Sequence, residues 1–193
     1  MSIMPTYEQA MDLLQKYNQE PFHITHALTV AGVLKYFAST YDPQNTEFWE
    51  IVGLLHDLDF EHFPQEHCQR SQQIMKDLYY DEKLIRATAS HGYGICSDLE
   101  PLDFMEKILF ATDELTGLIG ATAKMRPSGS VMDLPVKSVM KKFKTPSFAA
   151  GCSRDIISQG AAMLDWELTE LIEKTINAMR SMENADSASD SEV

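Results

Sequence analysis

The sequence predicts an all-α protein, a helical bundle, on three observations. Apolar residues recur at helical spacing along nearly the whole chain. No stretch alternates apolar and polar residues over the length of a strand. Stop signals at Asp42-Pro43, Pro64, Gly92 and Pro127-Ser128-Gly129 punctuate the pattern at helix-length intervals.

The elements follow in order. Thr6 and Gln9 fit a capping box ahead of Ala10, Leu13, Leu14 and Tyr17. A second helix is predicted from Pro21 to Tyr41, with Phe22, His26, Val30, Val33 and Phe37 on one face, stopped by Asp42-Pro43. A third begins near Asn45-Thr46 and reaches the doublet His56-Asp57. After an acidic turn with Pro64, a fourth covers His67 to Leu78. Asp81 caps a fifth that stops at Gly92. A long sixth runs from Asp103 to Lys124, and a short seventh spans Pro135 to Phe143. Ser153 and Asp165 are predicted to start the last two. One domain is expected over 1–182, followed by a small acidic tail over 183–193 that is expected to be disordered.

Composition excludes several functions. The formal charge is −13, and the body stays acidic without the tail residues Glu183, Asp186, Asp190 and Glu192. Such a surface repels phosphate backbones, so no nucleic-acid polymer or anionic membrane is expected as a partner. The three cysteines, Cys68, Cys96 and Cys152, show no CxxC spacing and read as reduced thiols of a cytoplasmic protein. The N-terminal residues lack the basic flank and apolar core of a signal peptide, and no apolar run reaches membrane-spanning length. The eleven methionines read as core filler.

The chemistry lies in an ordered set of histidines and acids. His26 has Phe22 and Val30 four residues to either side, so it faces inward. By itself, an inward histidine is most often a hydrogen-bonded core residue. His56 and Asp57 are adjacent, so they point about 100° apart on a regular helix and can share one ion only near a helix end. Leu58-Asp59-Phe60-Glu61 has the character of such an end. Asp113 has Leu109 at i−4, Phe110 at i−3 and Thr116-Gly117 a turn later. A carboxylate facing that interior is costly unless paired, and a cation removes the cost. His67 at a helix start suits a neutral, ligating imidazole better than a protonated one. His91 closes the fifth helix. His23 and His62 are peripheral and take no ligand role.

The order His26, His56-Asp57, His67, His91, Asp113 resembles the HD-domain superfamily of metal-dependent phosphohydrolases. Its pattern H…HD…D extends to H…HD…H…H…D in two-metal members. The resemblance spans about Pro21 to Thr116, and His67 to Met75 is similar to the family's histidine-led helix after the doublet. The closest resemblance is to small bacterial HD hydrolases. An HDIG variant needs glycine where this chain has Asp59, and His91-Gly92-Tyr93-Gly94 lacks the rest of a GYP element. Both departures argue against the cyclic-dinucleotide branch.

The resemblance implies an HD-type bundle that hydrolyses a phosphate ester, a nucleotide or other small phosphorylated metabolite, with metal-activated water. His26, His56, Asp57 and Asp113 are the expected first site, with Asp57 bridging to a second ion on His67 and His91. Such donors suit one or two divalent ions, Mn, Fe, Co, Ni, Zn or Mg. Asp59 and Glu114 are candidates for orienting water or moving a proton. Lys137, Lys141 and Lys144 share a helix face at i, i+4, i+7, and with Arg126 form a basic stripe suited to an anionic substrate or to plain solvation. Two alternatives use the same donors: a di-iron oxygenase of HD fold, and a non-catalytic protein that binds a nucleotide or metal as a signal.

Overall fold

The computed structural model describes residues 2–189 and the side chains up to residue 184. The fold is all-α: among the described residues there are nine α-helices, two short 3-10 turns and two isolated bridges, with no strand. The helices are α1 Tyr7–Tyr17, α2 Pro21–Tyr41, α3 Thr46–Leu55, α4 Gln69–Asp77, α5 Glu82–Ser90, α6 Phe104–Lys124, α7 Val136–Phe143, α8 Arg154–Met163 and α9 Leu168–Ser189. The 3-10 turns are Pro43–Asn45 and Pro64–Glu66. None of the helices is long and apolar enough to cross a membrane. Part of the acidic tail thus lies within α9, and residues 190–193 fall outside the described residues.

The chain divides within α6 into two compact units, Met1–Phe110 and Ala111–Val193. In the first, α3 packs on α1, α2 and α5, and α4 packs on α5. Its core is built from Val30, Val33, Leu34 and Phe37 of α2, Ile51, Leu54 and Leu55 of α3, Met75 of α4 and Leu84 and Ile85 of α5, all buried. Burial of each such large side chain contributes about 1.5–3 kcal/mol. The close approach of α2 and α3 depends on Gly53. A Cβ there would lie 2.7 Å from Ala31 Cα and 2.8 Å from Ala31 N, closer than backbone atoms tolerate. In the second unit, α9 packs against α7 and α8. Gly160 of α8 lies directly against Ala111. The Arg180 guanidinium of α9 donates to the carbonyls of Val131 and Leu134 at 3.1 and 2.9 Å, fixing the segment before α7.

Three expectations need correction. His67 does not open α4: it sits in extended backbone before the helix, and Cys68 follows at φ 65°. The cause is tertiary, because the Asp59 carboxylate takes both the His67 ring and the Ser71 amide. Asp165 does not start α9: its φ is 56°, so it turns the chain after α8, and the helix begins at Leu168. Phe22 is not inward but 73% exposed, in the first turn of α2.

Candidate metal centre

The end of α3 delivers the doublet. α3 stops at Leu55, His56 still has helical dihedrals, and the chain continues through turns as far as His62. That turn is clamped from two sides. The buried Asn18 amide donates to Leu58 O at 3.0 Å and Leu14 O at 3.3 Å. The Glu61 carboxylate accepts the backbone N–H groups of Gln19 and Glu20 at 3.0 and 3.1 Å, just ahead of α2. An anion at a helix N-terminus is favoured by the unpaired amides there. The packing of α2 on α3 brings in His26. α5, packed on α3, ends at His91, and the irregular segment before α4 supplies His67.

The five side chains form two mirrored halves about one carboxylate. Asp57 Oδ2 lies 3.5 Å from Nε2 of His26 and 3.5 Å from Nε2 of His56. These two nitrogens are 3.2 Å apart. Asp57 Oδ1 lies 3.4 Å from Nε2 of His67 and 3.2 Å from Nε2 of His91. This second pair of nitrogens is also 3.2 Å apart. His56 is fully buried, while the side chains of His26 and Asp57 retain 20% and 21% exposure. The set is therefore open on one side.

The opposite ring nitrogens are fixed. Nδ1 of His56 meets Gly53 O at 2.7 Å, and Nδ1 of His91 meets Thr88 O at 2.5 Å. Both use the same device, a histidine just past a helix end turned onto the carbonyl three residues back. Nδ1 of His67 meets Asp59 Oδ1 at 2.7 Å. Carbonyl and carboxylate oxygens only accept, so Nδ1 carries the proton in all three rings. Each neutral ring therefore presents an Nε2 lone pair to its neighbours. Asp59 itself is fully buried, with its other oxygen accepting Ser71 N–H at 2.7 Å. This is the carboxylate–imidazole arrangement that orients metal-ligating histidines.

Lone pairs that face one another and a carboxylate call for something positive between them. Without a cation, protons must serve. Burial disfavours charge on His67, but its hydrogen bond to Asp59, assisted by Cys96 and Asp57, pushes its pKa up to about 10. Burial likewise opposes charge on Asp57, yet His56 and His91 hold it well below the usual carboxylate range. Two groups here, His26 with His56 and Asp57, and His67 with His91 and Cys68, have ligand atoms close enough together to hold a metal ion. Adjacent ligands about 2.1 Å from one ion lie roughly 3.0–3.4 Å apart in octahedral or tetrahedral sets. The 3.2 Å nitrogen separations and the 3.2 and 3.4 Å nitrogen–oxygen separations fall in that range, and the two at 3.5 Å lie just beyond it.

His26, His56, Asp57, His67 and His91 are thus brought together within the first unit. Asp113 is half-buried on the part of α6 that belongs to the second unit. Glu114 accepts the Ser153 N–H at 3.2 Å, at the N-terminus of α8. Asp59 has both oxygens engaged, one by the His67 ring and one by the Ser71 amide. Arg126 is bonded to Asp133 through Nε and Nη2 at 3.0 and 2.7 Å. That bond and Ser128 draw the Asp133 carboxyl down to about 2. Lys137, Lys141 and Lys144 line a groove with Val136, Met140 and Thr169.

Sequence reasoning missed Cys68, whose Sγ is 4.0 Å from His91 Nε2 and groups with His67 and His91 as a possible ligand. Its position directly after His67 was the available signal. It also missed the carbonyls of Gly53 and Thr88, although a histidine just past a helix end is where such a bond forms. Comparison with protein-family models, with curated proteins and with solved structures finds no match.

Proposed function

We propose that this chain is a metal-dependent hydrolase of phosphate esters, acting on a nucleotide or another small phosphorylated metabolite. The observation that supports this most is the single Asp57 carboxylate with a pair of imidazole Nε2 atoms at each oxygen. His26, His56 and Asp57 would hold one divalent ion, and His67, His91 and Asp57 a second. Bound there, such ions lower the pKa of water toward neutrality and neutralise phosphoryl charge. The chain's own groups have separable roles. Asp57 links the two halves and adds negative charge that retains cations. Asp59 keeps the His67 proton on Nδ1, leaving Nε2 free to ligate. The Gly53 and Thr88 carbonyls do the same for His56 and His91. The buried side of the cluster limits water to the open face near His26 and Asp57. Asp113 as a further ligand is an expectation of the H…HD…D pattern. Lys137, Lys141 and Lys144 as an anion site rest on their shared helix face.

The test is a panel of phosphomonoesters and phosphodiesters assayed with protein loaded with manganese, zinc or iron. Activity is expected with metal, and its loss in Asp57→Asn and reduction in Asp113→Asn. Protein that is silent on the panel, yet consumes oxygen with reduced iron, would replace the proposal with the oxygenase. Protein silent in both assays, yet tight for one nucleotide, would replace it with the binder.

A further inference from the structure

Cys68 and Cys96 lie 28 residues apart in sequence, yet their Sγ atoms are 2.6 Å apart. Two unbonded sulfurs normally stay farther away, and a disulfide needs about 2.05 Å. The surroundings hold them there. Cys68 takes φ 65°, a left-handed conformation that is uncommon outside glycine. It is kept by the Cys68 carbonyl, which accepts Gln72 Nε2 at 2.9 Å and Ser71 Oγ at 3.1 Å. Cys96 sits in a tight turn in which the amides of Ile95, Cys96 and Ser97 all donate to Gly92 O at 3.0 Å. Gly92 borders both sulfurs, and a Cβ at that position would collide with each of them. Cys68 is buried and Cys96 is half-buried beside the exposed Ile95, so a small solute reaches Cys96 first.

We propose that Cys68 and Cys96 are a redox-active dithiol that closes to an intramolecular disulfide on exposure to a peroxide. The Cys96 sulfur attacks one peroxide oxygen. The O–O bond breaks, Cys96 becomes a sulfenic acid, and water or an alcohol leaves with the thiol proton. The Cys68 sulfur then attacks the Cys96 sulfur. The S–S bond forms, the S–O bond breaks, and the hydroxyl leaves as water with the Cys68 proton. The two thiols lose two electrons, and the peroxide gains them. A dithiol reductant reverses the bridge by exchange. The bridge would join the residue after His67 to the turn after His91, so it would adjoin the half-site those histidines form. That consequence rests on the metal reading; the dithiol chemistry does not.

The experiment uses the full chain, treated with a small excess of hydrogen peroxide, quenched, and alkylated under denaturing conditions. Wild-type protein is expected to fall from three reactive thiols to about one, and Cys152→Ser protein from two to none. Peptides containing residues 68 and 96 are expected to be linked, and to separate after dithiothreitol. Cys96→Ser is expected to keep Cys68 alkylatable after the same treatment. Persistence of both thiols, sulfinic acid without a bridge, or a bridge to Cys152 would overturn the proposal. Metal content is measured on the same samples. A bridge in protein that binds no metal retires the metal reading alone, and metal-loaded protein that never bridges retires the dithiol alone.

Discussion

Asp59→Asn changes one buried atom and tests how the centre is oriented. Asp59 Oδ2 accepts the Ser71 amide at 2.7 Å, and Oδ1 accepts from His67 Nδ1 at 2.7 Å. Asparagine offers one oxygen and one NH2. The Ser71 N–H cannot turn away from its helix, so the oxygen must remain there, and the NH2 then faces His67 Nδ1. Two donors would oppose each other unless His67 moves its proton to Nε2, the atom 3.4 Å from Asp57 Oδ1 and 3.2 Å from His91 Nε2. A protonated Nε2 cannot ligate. Loss of such an outer carboxylate typically weakens metal binding about 10–100-fold, or roughly 1.4–2.7 kcal/mol. Titration calorimetry with a divalent metal, with metal content checked by elemental analysis, is the assay. Binding at the His67–His91 half is expected to weaken by that factor while the His26–His56 half is unchanged. Identical isotherms for variant and wild type would refute the assignment of Asp59 as the orienting group.

Other perturbations probe separate links. Gly53→Ala should destabilise the protein by about 1–3 kcal/mol, because the new methyl meets Ala31 backbone atoms that cannot repack; an unchanged urea midpoint would show that α2 and α3 are not in close contact. Metal-free protein should lose stability as pH rises. The folded-state pKa of His67 is raised to about 10 from 6.5, so its contribution is fully present below about pH 6.5 and gone above about pH 10. Thermal melts across that range should show the decline, and metal should flatten it by replacing the proton; a flat metal-free profile would contradict the raised value. Lys141→Ala should raise KM for an anionic substrate several-fold without altering metal content, and unchanged kinetics would make the α7 groove ordinary surface.

The parts of the fold that were legible in sequence are those governed by neighbouring residues. Thr6 and Gln9 make the capping box, with bonds of 3.3 and 3.0 Å. Pro21 starts α2 where a missing N–H costs nothing, and Asp81 and Ser153 cap α5 and α8. The misplaced start of α4 had a distant cause. The start of α4 is set by Asp59, and no local signal announces the left-handed φ of Cys68 or Asp165. The same division holds at the site. His56-Asp57 was readable because an imidazole and a carboxylate end an apolar helix. Asp59 reads in sequence as a candidate for orienting water or moving a proton, and nothing there reveals that its turn buries it against the His67 ring. The Cys68–Cys96 pair depends on α4 meeting the turn after α5, a contact that spacing does not encode.

The most direct test is metal stoichiometry at equilibrium, measured by elemental analysis after dialysis of the full chain against manganese or zinc and removal of free ion. The shared carboxylate between two imidazole pairs leads to about two ions per chain, falling to about one in His67→Ala and His91→Ala. Wild-type protein that retains no ion under these conditions would contradict the account.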